Sequence, residues 1–286
     1  MDSEPTQIKS VHLSISVVSY APLLRELTLT LESLSRAVAY AREYNALSDA
    51  QLFLVDNGPG DKEADDLRSL FAVQAQENVF SRLELLSGHG NIGYGAGHNL
   101  ALRRSDSDFH LILNPDVNLD HQAIYEALCF LSTHPDVGGL SPYAEDRNGF
   151  RQFLCKNYPT VFDLILRGFL PEGIRRFFHK RIFAYDMRDV CGASEPVFDI
   201  PIISGCFMFM RRGILLQVDG FSSEYFMYFE DFDISLKLGK VTRLAYVPSV
   251  KIIHFGGDAA RKGWSHILMF VCSMLKFYKK HGWRIF

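Results

Sequence analysis

The stretch "FMYFEDFDISLKL" (226–238) sets Glu230, Asp231 and Asp233 among aromatic and aliphatic side chains. Burying a carboxylate without a partner is expensive, so three of them in such a run need a reason. Two readings offer themselves. On a helix starting near Glu230 the acids would meet the positive end of the macrodipole. In a water-poor pocket, one of them would gain the raised proton affinity that a general base needs. A further carboxylate, Asp116, closes an apolar run in "LILNPDV". It reads either as part of a turn stiffened by Pro115 or as a single ligand for Mg²⁺ or Mn²⁺, with a diphosphate supplying the other oxygens. His254 ends "KIIH" before Gly256 and Gly257, and reads as a packed histidine, a metal ligand or a phosphate contact. Asp56 either closes an Asx turn before Gly58 or accepts the N3–H of a uracil or thymine ring, which it could not tell apart. His98, in a glycine-rich loop, is a weaker candidate for a substrate contact.

The elements that must position these groups alternate. "VHLSISVVSY" (11–20), "AQLFLVDNGPGD" (50–61), "RLELLSG" (82–88) and "FHLILNPDVNLD" (109–120) are apolar, strand-like runs with polar or glycine-rich ends. Amphipathic segments at 23–44, 65–75 and 100–105 separate them. This βαβαβαβ order predicts a parallel, right-handed, doubly wound sheet. Ligands of such sheets collect beyond the carboxyl ends of the strands, where Ser19-Tyr20, Asp56-Asn57, Gly88 to Asn99 and Asn114-Pro115-Asp116 would face one crevice. Further on, a helix over 121–136, strands at 137–145, 198–212 and 243–257, and a basic amphipathic helix over 263–283 are expected. Residues 150–190 mix many cations with Phe, Leu and Ile.

Composition narrows the function classes. The chain has 286 residues, a formal net charge of −3 and 23 Phe; with no basic field, nucleic acid is not an expected partner. Five scattered cysteines without a C-x-x-C pair read as reduced thiols in a cytosolic protein. "MDSEPTQIKS" does not resemble a signal peptide, and "ILMFVCSML" (267–275) is too short to span a bilayer. "GHGNIG" (88–93) satisfies G-x-G-x-x-G. A dinucleotide fingerprint belongs to the first strand of its unit, however, and this one follows the third, so an NAD-dependent oxidoreductase rests on that hexapeptide alone.

Taken in order, "SVVSY", "LVDNG", "NIGYGAGHN", "LILNPDV", "SGCFMFMRR", "VDGFSSEYFMYFEDFDISLKL" and "IIHFGG" resemble the GT-A glycosyltransferases of family 2, in particular the bacterial rhamnosyltransferase-like branch. The resemblance covers about residues 12–280. It implies an α/β GT-A (Rossmann-like) fold, a mixed, mostly parallel sheet flanked by helices, in a single domain over 1–286. Within it, about 11–120 would form the nucleotide-binding half, 121–257 the acceptor and catalytic half, and 258–286 a helical tail. It also implies inverting transfer from a nucleoside-diphosphate sugar, L-rhamnose from dTDP-rhamnose, to a glycan or lipid-linked glycan in cell-surface polysaccharide synthesis. A UDP-hexose or UDP-N-acetylhexosamine donor is the alternative within the fold.

Carried onto this chain, the family pattern places Ser19, Tyr20, Asp56, Asn57, Gly93, Tyr94, Gly95, Asn99 and Asn114 around the nucleotide sugar. It makes Asp231 the base, with Glu230 as runner-up, and puts Phe229 and Asp233 beside the acceptor. Asp116 would bind Mg²⁺ or Mn²⁺ with help from His254. Many relatives carry Asp-x-Asp where this chain has Asn114-Pro115-Asp116, which weakens the expectation of tight metal binding. The basic terminal helix suggests contact with the inner face of the plasma membrane; the ordinary alternative is a packed helix with solvated lysines.

Overall fold

The computed structural model describes residues 11–168, 170–256 and 264–286. The N-terminal "MDSEPTQIKS" and Gly257 of the last motif lie outside the described residues. Strands β1 (Val11–Ser19), β2 (Leu47–Asp56), β3 (Arg82–Leu86) and β4 (Phe109–Leu113) are parallel and lie in the order β3-β2-β1-β4. They are joined through α1 (Leu24–Glu43), α2 (Asp61–Gln76) and α3 (Tyr94–Arg104). β1 is central and buried on both faces, which is why it reads as a nearly unbroken apolar run. Leu27, Leu31, Leu34, Val38 and Ala41 form the inward stripe of α1, the spacing an amphipathic helix requires.

Beyond β4 come β5 (Val117–Leu119), α4 (Ala123–Thr133), β6 (Val137–Glu145) and β7 (Arg151–Gln152), then β8 (Cys155–Lys156), α5 (Val161–Gly168), α6 (Glu172–Arg175) and α7 (His179–Tyr185). The chain continues with β9 (Val197–Phe198), β10 (Ile202–Ile203), β11 (Phe207–Arg211), α8 (Arg212–Gln217), α9 (Glu230–Leu238), β12 (Arg243–His254) and α10 (Trp264–His281). The sheet extends from β4 as β11-β6-β12-β5, so it is mixed, and its long neighbouring strands are mostly parallel.

Two pairings position the site. β11 is antiparallel to β4, with Phe207 opposite Leu113, which brings the peptide 204–206 to the carboxyl end of β4. β12 is antiparallel to β5, with His254 opposite Val117, which sets His254 beside the residue after Pro115.

The glycine-rich segment differs from expectation. α3 starts at Tyr94, so Gly95, His98 and Asn99 are helical rather than in a loop before residue 100. Gly93 takes φ +91°, and a Cβ there would sit 2.5 Å from the Phe226 carbonyl oxygen, the same oxygen that accepts the Tyr94 N–H. The backbone contact explains the glycine without any nucleotide.

α10 buries Ser273, Phe277 and Tyr278 against a cluster that includes Leu164, Tyr225 and Phe229, and leaves Trp264, Leu268 and Leu275 exposed. No helix among the described residues is long and apolar enough to cross a membrane.

Candidate active site

A cleft of about 550 Å³ opens at the carboxyl edge of β1 and β4, a volume suited to a small ligand. Six predicted residues line it together: Tyr94, Asn114, Asp116, Glu230, Asp231 and His254.

The turn carrying Asp116 is fixed at each residue. Asn114 N–H donates to Cys206 O (2.9 Å), Thr30 Oγ1 donates to Pro115 O (2.9 Å), and Phe255 N–H donates to Asp116 O (2.8 Å). Tyr94 Oη lies 2.9 Å from Asn114 Oδ1 and 2.6 Å from Gly205 O. Burial, reinforced by nearby carboxylates, holds the Tyr94 phenol well above its ordinary range, so it remains a donor.

Opposite stands the acidic helix. Tyr228 and Phe229 both adopt left-handed backbone conformations, φ 68° and 66°, each costing about 1 kcal/mol or more for a non-glycine residue. The turn is held by Ser273 Oγ donating to Met227 O (2.8 Å) and by Tyr228 Oη against His266 Nδ1 (2.9 Å). It delivers Glu230 and Asp231 to the first turn of α9, where the macrodipole favours negative charge. Asp231 Oδ2 accepts the Gly205 N–H (3.1 Å), and Oδ1 accepts the Phe232 N–H (3.0 Å). Glu230 Oε2 is buried without a partner. Burial and the charge of Asp231 push Glu230 up to about 8. Burial also raises Asp231, but backbone N–H groups and the Lys156 ammonium oppose the rise. The pair therefore divides near neutral pH, with Glu230 protonated and Asp231 carrying the charge.

The Asp116–His254 pair can be tested for a cation. Gln152 Nε2 donates to His254 O (3.2 Å), so its Oε1 faces His254 Nδ1 at 2.8 Å. Nδ1 is then the protonated nitrogen. Burial lowers the His254 pKa, which keeps Nε2 a bare lone pair. It lies 3.6 Å from Asp116 Oδ1, a buried oxygen without a hydrogen-bond partner. Two acceptors facing each other without a proton suit a divalent cation. A Cβ on Gly256 would stand 2.4 Å from Asp116 Oδ2 and 3.0 Å from His254 Nε2, so glycine keeps that approach open. Among the described residues no three His, Cys, Asp or Glu side chains converge as a metal set. The remaining ligands would have to come from a substrate.

Other predicted residues lie elsewhere. Ser19, Asp56 and Asn57 are buried beside the cleft at the ends of β1 and β2, and Tyr20 is exposed. Asp56 Oδ1 accepts the Gly58 N–H (2.8 Å), so the Asx turn exists. Asn57 Nδ2 donates to Gly93 O (3.0 Å), tying this group to the start of α3.

Expectations for five residues need correction. Asn99 Oδ1 accepts the Phe221 N–H (2.9 Å) and its Nδ2 donates to Phe221 O (2.8 Å), which occupies the side chain away from any nucleotide, and Gly95 packs on the Phe221 ring. Asp233 points away from the cleft, where it accepts His281 Nε2 (2.7 Å) and Lys280 Nζ (2.8 Å) and anchors α10 rather than an acceptor. Phe229 is buried against Phe232, Phe270 and Phe277. His98 is sealed in the core on Ser16 Oγ (2.6 Å). In each case the pattern gave the segment but not the direction of the side chain.

The cleft also uses Glu26, Ser204, Gly205, Cys206, Met227 and Tyr228, which sequence reasoning did not single out. "SGC" did lie within a quoted motif, but its contribution is the backbone N–H of Gly205, which residue type does not advertise. Gln152 gave no signal at all.

The fold is that of the GT-A glycosyltransferases. It superposes on the mannosyltransferase PcManGT from Pyrobaculum calidifontis, solved with GDP-Man and Mn²⁺, with a TM-score of 0.56 and 18% identity over 97% of this chain and 67% of that one. By sequence, the rhamnosyltransferase WbbL of Escherichia coli is 26% identical over 195 residues, 65% of this chain and 69% of that protein. N-acetylglucosaminyl-diphospho-decaprenol L-rhamnosyltransferase of Mycobacterium tuberculosis is 29% identical over 217 residues, 71% of this chain and 66% of that protein. The matches thus span about two thirds of each relative's own length. No family model matches the chain. The fold is thus that of the GT-A glycosyltransferases, and the sequence is similar to rhamnosyltransferases.

Proposed function

We propose that the chain transfers L-rhamnose from dTDP-rhamnose to a hydroxyl of a lipid-linked glycan, with inversion at the anomeric carbon, in cell-surface polysaccharide synthesis. The observation that carries this reading is the cleft itself, with Asp231 on one wall and the unbridged Asp116–His254 pair on another. The names of the two sequence relatives support rhamnose, and the mycobacterial name supports a lipid diphosphate acceptor.

Asp231 takes the proton of the acceptor hydroxyl as that oxygen attacks the anomeric carbon. The bond to the diphosphate breaks on the opposite face, and the nucleoside diphosphate leaves. One displacement with one base inverts the centre and needs no covalent intermediate. The two backbone N–H groups on Asp231 fix the direction of its free lone pairs. Mg²⁺ or Mn²⁺ held by Asp116 and His254 would neutralise charge on the diphosphate. The base and ribose would lie towards Ser19, Tyr20, Asp56 and Asn57. Asp56 suits uracil as well as thymine, which keeps a UDP-sugar donor as a measurable alternative.

We place the protein at the inner face of the plasma membrane as a peripheral protein. The exposed Trp264, Leu268 and Leu275 on α10, with basic residues in its last turn, support this.

Thermal unfolding with dTDP, UDP or GDP, with and without Mn²⁺, tests the donor site. A ligand at 100 times its Kd stabilises the fold by about 2.7 kcal/mol. The expected result is an Mn²⁺-dependent rise with dTDP that Asp116→Asn abolishes. A rise with UDP alone would change the donor, and no nucleotide response at all would overturn the reading.

A further inference from the structure

Away from the cleft lining, three cations converge on one acid. Lys156 Nζ lies 2.8 Å from Asp186 Oδ1, Arg167 shares that oxygen, and Arg188 approaches Oδ2 through Nε (3.1 Å) and Nη2 (2.8 Å). The Asp186 side chain is 2% exposed, while those of Arg167 and Arg188 are 41% and 36% exposed. The cluster therefore has a local excess of two positive charges, directed outward. One carboxylate with one guanidinium would close an ordinary ion pair. Both further guanidinium groups reach solvent, so an anion arriving there would meet two positive charges at once. The guanidinium groups are also held in position, Arg188 over the rings of Phe153 (5.0 Å) and Phe183 (4.7 Å) and Arg167 over Tyr185 (5.4 Å).

The cluster adjoins the base. Lys156 on β8 pairs with Ile202 on β10. Ile203 N–H donates to Ser235 Oγ of α9 (3.2 Å), and two residues later Gly205 N–H binds Asp231. The charge of Lys156 is felt by Asp231 itself. A group bound here would lie on the Asp231 side of the site, whereas the proposed place of the donor diphosphate is at Asp116 and His254.

We infer that Lys156, Arg167 and Arg188, mounted on Asp186, form a cradle for the diphosphate of a lipid-diphosphate-linked acceptor. This rests on the transferase reading of the cleft. Planar guanidinium groups match phosphate oxygens in pairs. Lys156 Nζ is also held by Phe153 O (2.5 Å), so the N–H groups that can meet a phosphate are mainly those of Arg167 and Arg188 not turned to Asp186. The cradle would make the acceptor's diphosphate, and not only its sugar, a determinant of recognition.

Steady-state kinetics on the full chain with two acceptors of the same sugar test this, one joined through a diphosphate to a short lipid tail and one a neutral alkyl glycoside. Arg167→Gln should raise KM for the diphosphate acceptor about tenfold, a loss of about one charge-assisted contact. It should leave KM for the neutral acceptor and for the donor unchanged, and Arg167→Lys should recover part of the loss. An equal rise for both acceptors, or no rise for either, would overturn the cradle. A second measurement does not depend on turnover. Calorimetric titration of inorganic pyrophosphate, in EDTA and on an Asp116→Asn background, should show binding that Arg167→Gln and Arg188→Gln each remove. Pyrophosphate binding that survives both substitutions refutes the cradle even if transfer is observed. If the wild type uses neither acceptor, the transferase reading fails and the titration alone decides the cradle. Loss of binding to phosphatidylglycerol vesicles in Arg167→Gln, without a change in the KM ratio, would assign the cluster to lipid headgroups and overturn the acceptor assignment.

Discussion

Glu230 offers the sharpest physical test, because its environment costs the folded state something measurable. Its carboxyl is buried beside Asp231, and its affinity for a proton rises from an ordinary 4.5 to about 8. A group whose folded value is raised lends its full contribution to stability below the unfolded value and loses it as the pH climbs through the folded one. At ~1.36 kcal/mol per tenfold change in affinity, the ceiling on the loss between pH 4.5 and 8 is ~5 kcal/mol. Because part of the rise is mutual repulsion with Asp231, a loss of about 2–4 kcal/mol is the working expectation. Glu230→Gln imitates the protonated acid at every pH. The variant should match wild type near pH 5 and exceed its stability by that amount near pH 8.5. Urea unfolding followed by circular dichroism at pH 5, 7 and 8.5 measures the difference. His98 and His110, whose burial also makes stability depend on pH, are common to both proteins and cancel in it. A difference that does not change with pH, or a variant less stable at pH 8.5, would refute the placement of a protonated Glu230 beside a charged Asp231.

The same division of roles predicts that Asp231→Asn lowers kcat by about 10²–10⁴ with nucleotide-induced stabilisation intact, whereas Glu230→Gln keeps most activity; initial-rate assays with both variants decide it. Asp233→Asn removes the charge that holds Lys280 and His281, and should cost about 3 kcal/mol in urea unfolding while leaving the KM values of folded protein unchanged. Trp264→Ser with Leu268→Ser should weaken sedimentation with anionic vesicles without lowering Tm, because both side chains are exposed. Removing α10 altogether would be a poor probe, since Phe277 and Tyr278 complete a buried cluster.

The first half of the fold was legible because each of its strands is an apolar run closed by turn chemistry, and each intervening helix carries a periodic stripe. The antiparallel insertion of β11 was not, since "FMFMR" is equally apolar in either direction. Within the site, the carboxylates at 116, 230 and 231 and His254 could be found from residue type and position at strand or helix ends. Directions could not. Asp231 and Asp233 differ by only two positions, yet a helix turns about 200° over that interval, so one acid faces the cleft and the other meets α10. Asn99 was misplaced for a related reason. Glycines usually mark a loop, but here they let a helix start against the Phe226 carbonyl and pack on Phe221.

The acidic turn explains why α10 belongs to the chemistry as well as to the surface. Two consecutive aromatic residues in left-handed conformations do not hold themselves there, and the contacts that hold them come largely from α10. Ser273 binds the Met227 carbonyl, His266 meets the Tyr228 hydroxyl, and Phe270 and Phe277 pack on Phe229. The other side of α9 is tied to the same helix through Asp233. The orientation of Asp231 and Glu230 is therefore set by a helix whose opposite face is exposed and apolar. Any ligand or surface that α10 contacts would act on the strained turn, and through it on the base.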